Sequence, residues 1–157
     1  MMDAAWWHVF TSVCFWSPFC AWITAQVTKM LCGFLRTQKL DFFSYLVSTG
    51  GMPSAHSAMI SGLAASVGIT RGFGSTLFCI ALATALVVMF DAATVRRASG
   101  LQARLLNEIV DELFKQHRFS ERKLAELLGH TRLEVFMGMI IGILVAMIVT
   151  SAPLLMK

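Results

Sequence analysis

Charged residues are scarce in this sequence of 157 residues. Asp, Glu, Lys and Arg make up only 14% of it, whereas a soluble domain is about a quarter charged. Hydrophobic residues reach 57%, and the mean hydropathy is +0.70. No polar stretch is long enough to form a large soluble catalytic domain, a nucleic-acid-binding module or a long disordered tail. We therefore predict an integral membrane protein in which residues 1–157 form one domain.

Several chemical signatures are also missing. The four cysteines are scattered, with no CxxC pair, so they do not supply the closely spaced ligands that a zinc site needs. The sequence has no glycine-rich nucleotide loop and no GxSxG elbow. We therefore predict neither a metal nor a cofactor.

Long apolar runs define the expected topology. A transmembrane helix needs about 20 mostly apolar residues, and four runs come close to that length or reach it. They cover residues 5–28, 54–70, 73–95 and 135–155. The connection 96–131 repeats Leu, Ile and Val at helical spacing among polar residues, which indicates an amphipathic helix. The predicted fold is an all-α polytopic bundle of about four spans plus a cytoplasmic amphipathic helical segment.

The basic residues orient this bundle. Most of them lie in the first and third connections, whereas the opposite side has only Arg71 and Lys157. The first connection holds Lys29, Arg36 and Lys39, and the third holds Arg96, Arg97, Arg104, Lys115, Arg118, Arg122, Lys123 and Arg132. The positive-inside rule puts both connections in the cytoplasm. The net charge of +4 is then a signal of topology, so we predict no nucleic-acid partner and a location in an inner or plasma membrane.

The stretch GGMPSAHSA, residues 50–58, stands directly before an apolar helix. A helix that begins at Pro53 and Ser54 exposes backbone N–H groups, and such an end attracts phosphate. His56 would lie in the first turn, where it can exchange a proton with a bound anion. The structural alternative makes Ser54 an N-cap and His56 an interfacial side chain.

Two further groups combine charge with apolar surroundings. Lys29 and Arg36 are seven residues apart and share one face if the first helix continues, so they can bind a phosphoryl group or act as interfacial anchors. Asp91 lies within an apolar helix just before Arg96 and Arg97. A carboxylate near the bilayer needs a partner, and Asp91 can hold Arg96, Arg97 or Lys29 in place.

The last group stands at the start of the fourth span. His130 and Glu134 are four residues apart, so the carboxylate can fix the imidazole tautomer and leave the other nitrogen as a nucleophile. Thr131 and Glu134 also form a capping-box pattern, which would give Glu134 a purely structural role.

Taken together, these groups resemble the type-2 phosphatidic acid phosphatase superfamily, which includes acid phosphatases and vanadium-dependent haloperoxidases. Its pattern is a Lys followed after six residues by Arg-Pro, then PSGH, then a Ser-Arg pair followed after five residues by His and after three more by Asp. This sequence is still more similar to the divergent branch called acid phosphatase/vanadium-dependent haloperoxidase-related. The matching stretches are GGMPSAHSA, DAATVRRASGLQARLLN and LLGHTRLEV, and the resemblance covers about residues 20–145.

The resemblance implies a mechanism. His130 would attack phosphorus, Glu134 would orient it, and His56 would protonate the leaving group. The phosphate would be bound by Lys29, Arg36, Ser54 and Arg96 or Arg97. The pattern differs from that of the superfamily in four places. The first motif lacks its Pro, PSGH reads PSAH, the final Asp is Glu, and no Arg lies six residues before the nucleophile.

We therefore predict a membrane-embedded, metal-independent phosphatase. Its substrate would be a lipid phosphate monoester of the phosphatidylglycerol phosphate, phosphatidic acid or polyprenyl phosphate class, and its site would face the cytoplasm. The superfamily's membrane enzymes usually have six spans, so a homo-oligomer is one way to complete a four-span site. The alternative is a non-catalytic protein that binds anionic lipid headgroups, or a transporter or assembly subunit. Co-location of His56, His130, Lys29 and Arg96 or Arg97 in one pocket would favour the enzyme. Two histidines separated by much more than the width of a phosphate would favour binding.

Overall fold

A computed structural model describes residues 7–37, 51–113 and 129–155. Every regular element in this part of the chain is helical, as predicted. A single turn, α1 (His8–Thr11), precedes α2 (Val13–Thr37). These are followed by α3 (Ala55–Arg71), α4 (Thr76–Ala93), α5 (Val95–Leu113) and α6 (Arg132–Leu155).

Helix α3 is the centre of the bundle, because it packs against α2, α4 and α6. It runs parallel to α6, since the first turns of both helices are in contact. It is antiparallel to α2, where Cys14 Sγ lies 3.3 Å from Thr70 Oγ1. The starts of α3 and α6 therefore lie at the same end of the bundle as the second half of α2 and the end of α4. We call this the site end.

Small residues make these close contacts possible. Gly138 and Gly142 are four apart on α6, and side chains there would collide with the carbonyl oxygens of Ser54 and Ala58 on α3. The hydroxyl of Ser61 then donates a hydrogen bond across the interface to the carbonyl oxygen of Met139, at 3.2 Å. A glycine pair at this spacing, with serine hydrogen bonds, is typical of helices that associate in membranes.

The distribution of large and small side chains is the reverse of that in a soluble protein. Among the described residues, the buried hydrophobic side chains are alanines plus Val135, whereas large ones such as Ile80, Val87 and Ile148 are 60 to 68% exposed. A soluble protein rarely exposes so much contiguous apolar surface. The exposed belt is explained by contact with lipid, which places the helices in a membrane.

The count of four spans remains a prediction. Within the described residues, two segments are long and apolar enough to cross a membrane, Thr76–Val110 and Arg132–Ala152. They correspond to the third and fourth predicted spans. Helix α3 has only 17 residues and is rich in Ser and Gly, and the apolar sequence of α2 is interrupted by Gln26 and Lys29.

Several helix boundaries differ from those expected. Ser12 adopts an extended conformation that separates α1 from α2, and α2 continues beyond residue 28 to Thr37. Thr94 interrupts the helix between α4 and α5. Helix α5 has the expected amphipathic pattern and packs, within the described residues, against α4 alone. Residues 114–128 of the predicted connection lie outside the described residues.

Candidate active site

The site end brings together residues from three distant parts of the sequence. The backbone N–H of Ser54, just before α3, donates a hydrogen bond to the carbonyl oxygen of Glu134 in the first turn of α6, at 3.0 Å. Because Gly138 has no side chain, the two helix starts can approach this closely. The PSAH stretch at 53–56 and the HTRLE stretch at 130–134, with 73 residues between them, therefore form one local structure.

His130 and Glu134 form a hydrogen-bonded pair. The imidazole Nδ1 of His130 lies 3.2 Å from Oε2 of Glu134, and the histidine is only 3% exposed. A carboxylate accepts hydrogen bonds but does not donate them. Nδ1 therefore carries the hydrogen, and Nε2 of the neutral ring holds the lone pair.

The capping-box prediction is also correct. The backbone N–H of Thr131 donates to the same Oε2 of Glu134 at 3.0 Å, and the Thr131 hydroxyl accepts from the Glu134 N–H at 3.3 Å. The structural and chemical roles of this carboxylate are thus not alternatives. The cap fixes the carboxylate, and the carboxylate in turn fixes the imidazole.

His56 lies in the first turn of α3 and faces His130. The centres of the two rings are 6.4 Å apart, with their planes inclined by 57°. His56 is exposed whereas His130 is buried. The site therefore offers one imidazole held in a fixed orientation and a second that solvent can reach, as a nucleophile and a proton donor would require.

Lys29 brings an ammonium group to the site end. Its side chain is 5% exposed and runs along Gly51, where a Cβ would lie 3.7 Å from Lys29 Cδ. Gly51 has a φ of +96°, a backbone conformation that favours glycine. Burial lowers the pKa of Lys29 from its ordinary 10.5, and the nearby Glu134 carboxylate partly opposes that shift.

The position of Lys29 follows from the α2 sequence. Ser17, Ala21 and Ala25 precede it at intervals of four residues and are all fully buried, so Lys29 continues the packed face of α2 by one more turn. The helix is continuous from Lys29 to Thr37, as the shared-face prediction for Arg36 requires. The side chain of Arg36 lies outside the described residues.

Ser54 is the N-cap of α3 and is fully buried. Its hydroxyl oxygen accepts hydrogen bonds from the Ser57 N–H at 3.3 Å and from the Ser57 hydroxyl at 3.0 Å. The N-cap alternative is therefore correct for this side chain. A direct contact from Ser54 to phosphate stays a prediction.

The remaining predicted residues lie where α4 passes into α5. Asp91 is half-buried in the last turn of α4, and Arg97 is exposed in the first turn of α5. The side chain of Arg96 lies outside the described residues. Their helix ends lie at the site end, but the contacts that join His56, Lys29 and His130 come from α2, α3 and α6.

The sequence interpretation gave no role to Gly138, although it is needed for the approach of the two histidine motifs. The spacing of Gly138 and Gly142 in an apolar helix was a signal that could have identified it. Within the described residues, no cluster of three or more His, Cys, Asp or Glu side chains could hold a metal ion.

Comparisons with known proteins identify the family of this chain. A family model described as "Divergent PAP2 family" matches residues 10–145. An uncharacterized membrane protein, YuiD of Bacillus subtilis (strain 168), is 38% identical over 143 residues, which cover 84% of this chain and 90% of that protein. No solved structure matches the chain. The matched region contains all of the site residues described above, and the chain belongs to the divergent PAP2 family of membrane proteins.

Proposed function

We propose that this protein is a lipid phosphate phosphatase that works through a phosphohistidine intermediate. One observation carries the proposal. A buried histidine, held by a carboxylate that is itself fixed by a helix cap, faces a second, accessible histidine at a ring separation of 6.4 Å. A nucleophile oriented by a third group, with a separate proton donor, is the arrangement that covalent catalysis requires.

In the first step, Nε2 of His130 attacks the phosphorus atom and forms an N–P bond. The bond from phosphorus to the lipid oxygen breaks, and His56 in its protonated form gives its proton to that oxygen. Glu134 stabilises the positive charge that develops on the His130 ring, as the acidic partner does in other histidine-containing triads.

In the second step, His56, now neutral, takes a proton from water as the water oxygen attacks phosphorus. The N–P bond breaks, inorganic phosphate leaves, and His130 returns to its neutral form. Lys29 and the N-terminal end of α3 would stabilise the negative charge on the phosphoryl oxygens in both steps. Arg36 and Arg96 or Arg97 would complete the phosphate contacts.

The location of the site favours a lipid as the substrate. The ammonium group and both histidines lie at one end of a bundle whose sides are apolar, so a phosphate headgroup can enter while its hydrocarbon remains in the membrane. The distribution of Lys and Arg assigns this end to the cytoplasmic leaflet. The candidate substrates are phosphatidylglycerol phosphate, phosphatidic acid and polyprenyl phosphates.

The test is phosphate release from dioleoyl phosphatidic acid by purified protein in detergent, with the other lipid phosphates as a panel and vanadate as inhibitor. We expect His130→Ala to lower turnover by more than about 1,000-fold, because a nucleophile has no substitute in the mechanism. His8→Ala, at the other end of the bundle, is the matched control and should retain full turnover.

Undiminished turnover by His130→Ala would exclude His130 as the nucleophile. A wild-type protein that binds these lipids saturably, yet releases phosphate from none of them, would instead support the non-catalytic alternative of lipid headgroup binding.

A further inference from the structure

A half-open apolar groove of about 350 Å³ lies between α4 and α6, with α3 as its floor. Ser61 and Ala65 line the floor, and Met89 and Ile143 belong to the two walls. The Ser61 hydroxyl donates to the carbonyl oxygens of Ser57 and Met139 within the bundle. The one polar side chain of the lining is therefore already satisfied, and the groove presents a hydrocarbon surface.

The groove is aligned with the site end. Met89 and Met139 bound its near end. Met89 precedes Asp91 by two residues and Met139 follows Glu134 by five, which corresponds to about 3 Å and 8 Å along the helix axes. At the far end, the rings of Phe73 and Phe78 pack edge to face, with centres 5.1 Å apart.

Its length fits part of a lipid chain. Along α3, the lining runs from Ser61 to Ile69, which is about 12 Å at the rise of a helix. The near end lies roughly 10 Å from Ser54 on the same scale. A hydrocarbon chain whose headgroup is at the histidines would therefore enter the groove with its distal part.

Its width excludes another helix. Helices α4 and α6 both pack against α3 and also contact each other, so the space between them is narrower than the roughly 10 Å diameter of a helix. The volume is at the small end of the range for ligand pockets. A single flexible chain fits this space, and methionine walls such as Met89 and Met139 can adapt to its kinks.

We infer that this groove binds one hydrocarbon chain of the lipid phosphate whose headgroup occupies the histidine site. The inference rests on the proposed function, in which the phosphate headgroup of the lipid binds at the histidines. With this groove, the protein selects its substrates by chain length, because only a long hydrocarbon chain reaches from the histidines into the groove. Burial of each methylene stabilises the complex, and pockets of this kind discriminate by tenfold or more for each methylene.

The test compares kcat/KM for dioleoyl and dihexanoyl phosphatidic acid. Ala65→Phe fills the floor of the groove. We expect it to lower the ratio of kcat/KM for the dioleoyl lipid to kcat/KM for the dihexanoyl lipid by about tenfold or more. Ala83→Phe adds the same ring on the exposed side of α4, outside the lining, and should leave the ratio unchanged. An unchanged ratio in Ala65→Phe overturns the inference.

A second variant covers the case in which Ala65→Phe does not fold. Ile143→Ala widens the α6 wall without adding bulk, and we expect it to lower the preference for the long chain. An unchanged ratio, together with an altered oligomeric state, would show that another copy of the chain covers the groove and would overturn the inference.

A binding measurement separates this inference from the phosphatase proposal. Phosphatidic acid with a photoactivatable group near the end of its chain is added to vesicles of phosphatidylcholine that contain the protein. We expect cross-links at groove residues such as Met139 and Met147, and unlabelled dioleoyl phosphatidic acid should compete. Cross-links without phosphate release would contradict the phosphatase alone, whereas phosphate release with cross-links elsewhere would contradict the groove alone.

Discussion

The two ends of the bundle use the same N-cap chemistry, before α3 at the site end and before α4 at the opposite end, in different surroundings. At the site end, the hydroxyl oxygen of Ser54 accepts the Ser57 N–H at 3.3 Å. At the opposite end, where the chain turns into α4, the hydroxyl oxygen of Ser75 accepts the Phe78 N–H at 3.2 Å. Both serines are N-caps of apolar helices, but only the first is fully buried.

The difference lies in what packs around each cap. Ser54 contacts the first turn of α6, which carries Glu134, and the buried His130 lies two residues before that helix. Ser75 follows a turn that contains Gly72 and Phe73, and the nearby Arg71 is exposed. A capping serine before a membrane helix is therefore not evidence of a phosphate site. Burial of titratable side chains beside the cap is what distinguishes the site end.

Among changes that test the difference between the two ends of the bundle, Glu134→Gln should have the largest effect on turnover. The glutamine oxygen can still accept the Thr131 N–H and keep the cap, but a neutral amide cannot stabilise a positively charged His130. We expect turnover of phosphatidic acid to fall by about 10²- to 10⁴-fold, with little change in the melting temperature in detergent.

Thr131→Val is the matched control for that change. It removes the hydroxyl that accepts the Glu134 N–H and should cost about 1 kcal/mol of stability, with most of the turnover retained. If Glu134→Gln lost stability and kept turnover, the carboxylate would have only its capping role.

Gly138→Ala should give the next largest effect. The new methyl group would overlap the Ser54 carbonyl oxygen and contact Ser57, so α3 and α6 must separate at the site end. We expect a loss of about 1 to 3 kcal/mol in stability and a fall in turnover. Thermal unfolding in detergent and phosphate release measure the two effects.

Gly74→Ala provides the corresponding change at the opposite end. A Cβ at Gly74 would have no neighbour within 4 Å, so this variant should unfold at the wild-type temperature. Equal melting temperatures for the two variants would contradict the close packing that we describe at Gly138.

The smallest expected effect is a shift in the pH at which phosphate binding weakens. Because burial lowers the pKa of Lys29, the lysine loses its charge at a lower pH than an exposed lysine does. Phosphate binding should therefore weaken as the pH rises through that lowered pKa. The stability changes in the opposite direction, since deprotonation removes the cost of a buried charge, and the folded state gains stability from that pH up to about 10.5.

Inhibition by inorganic phosphate, measured as a function of pH, checks this shift. Lys29→Arg should extend binding to higher pH, because a guanidinium stays protonated. Arg71→Met, which removes an exposed cation at the opposite end, should leave the profile unchanged. A wild-type profile that is flat up to pH 10.5 would contradict a lowered pKa at a phosphate-binding Lys29.

Much of the fold was predictable because it depends on local sequence. Apolar runs of the third and fourth spans identify α4 and α6, and the periodicity of Leu and Ile identifies α5. The histidine motifs could be found for the same reason, since each is a short continuous stretch. The starts of α2 and α4 were less predictable, because the extended Ser12 and the turn at Gly72 depend on single backbone conformations.

The separate residue pairs of the candidate site could be predicted from the sequence, but not how they combine. The spacing of His130 and Glu134 indicated a pair, and the spacing of Thr131 and Glu134 indicated a cap, but sequence spacing presented these as alternatives. The structure shows one oxygen serving both, because the residues just before α6 place the N–H of Thr131 and the His130 ring within reach of the Glu134 carboxylate in the first turn.

By itself, the sequence determined that this protein consists of apolar helices with phosphatase-like motifs, since hydropathy and short motifs are properties of consecutive residues. Tertiary structure decided which motifs meet. Gly138 lets α6 approach α3 until Ser54 binds the Glu134 carbonyl, and the alanine face of α2 carries Lys29 to the same place. The groove between α4 and α6 likewise exists only because three helices pack around a gap, which no single segment contains.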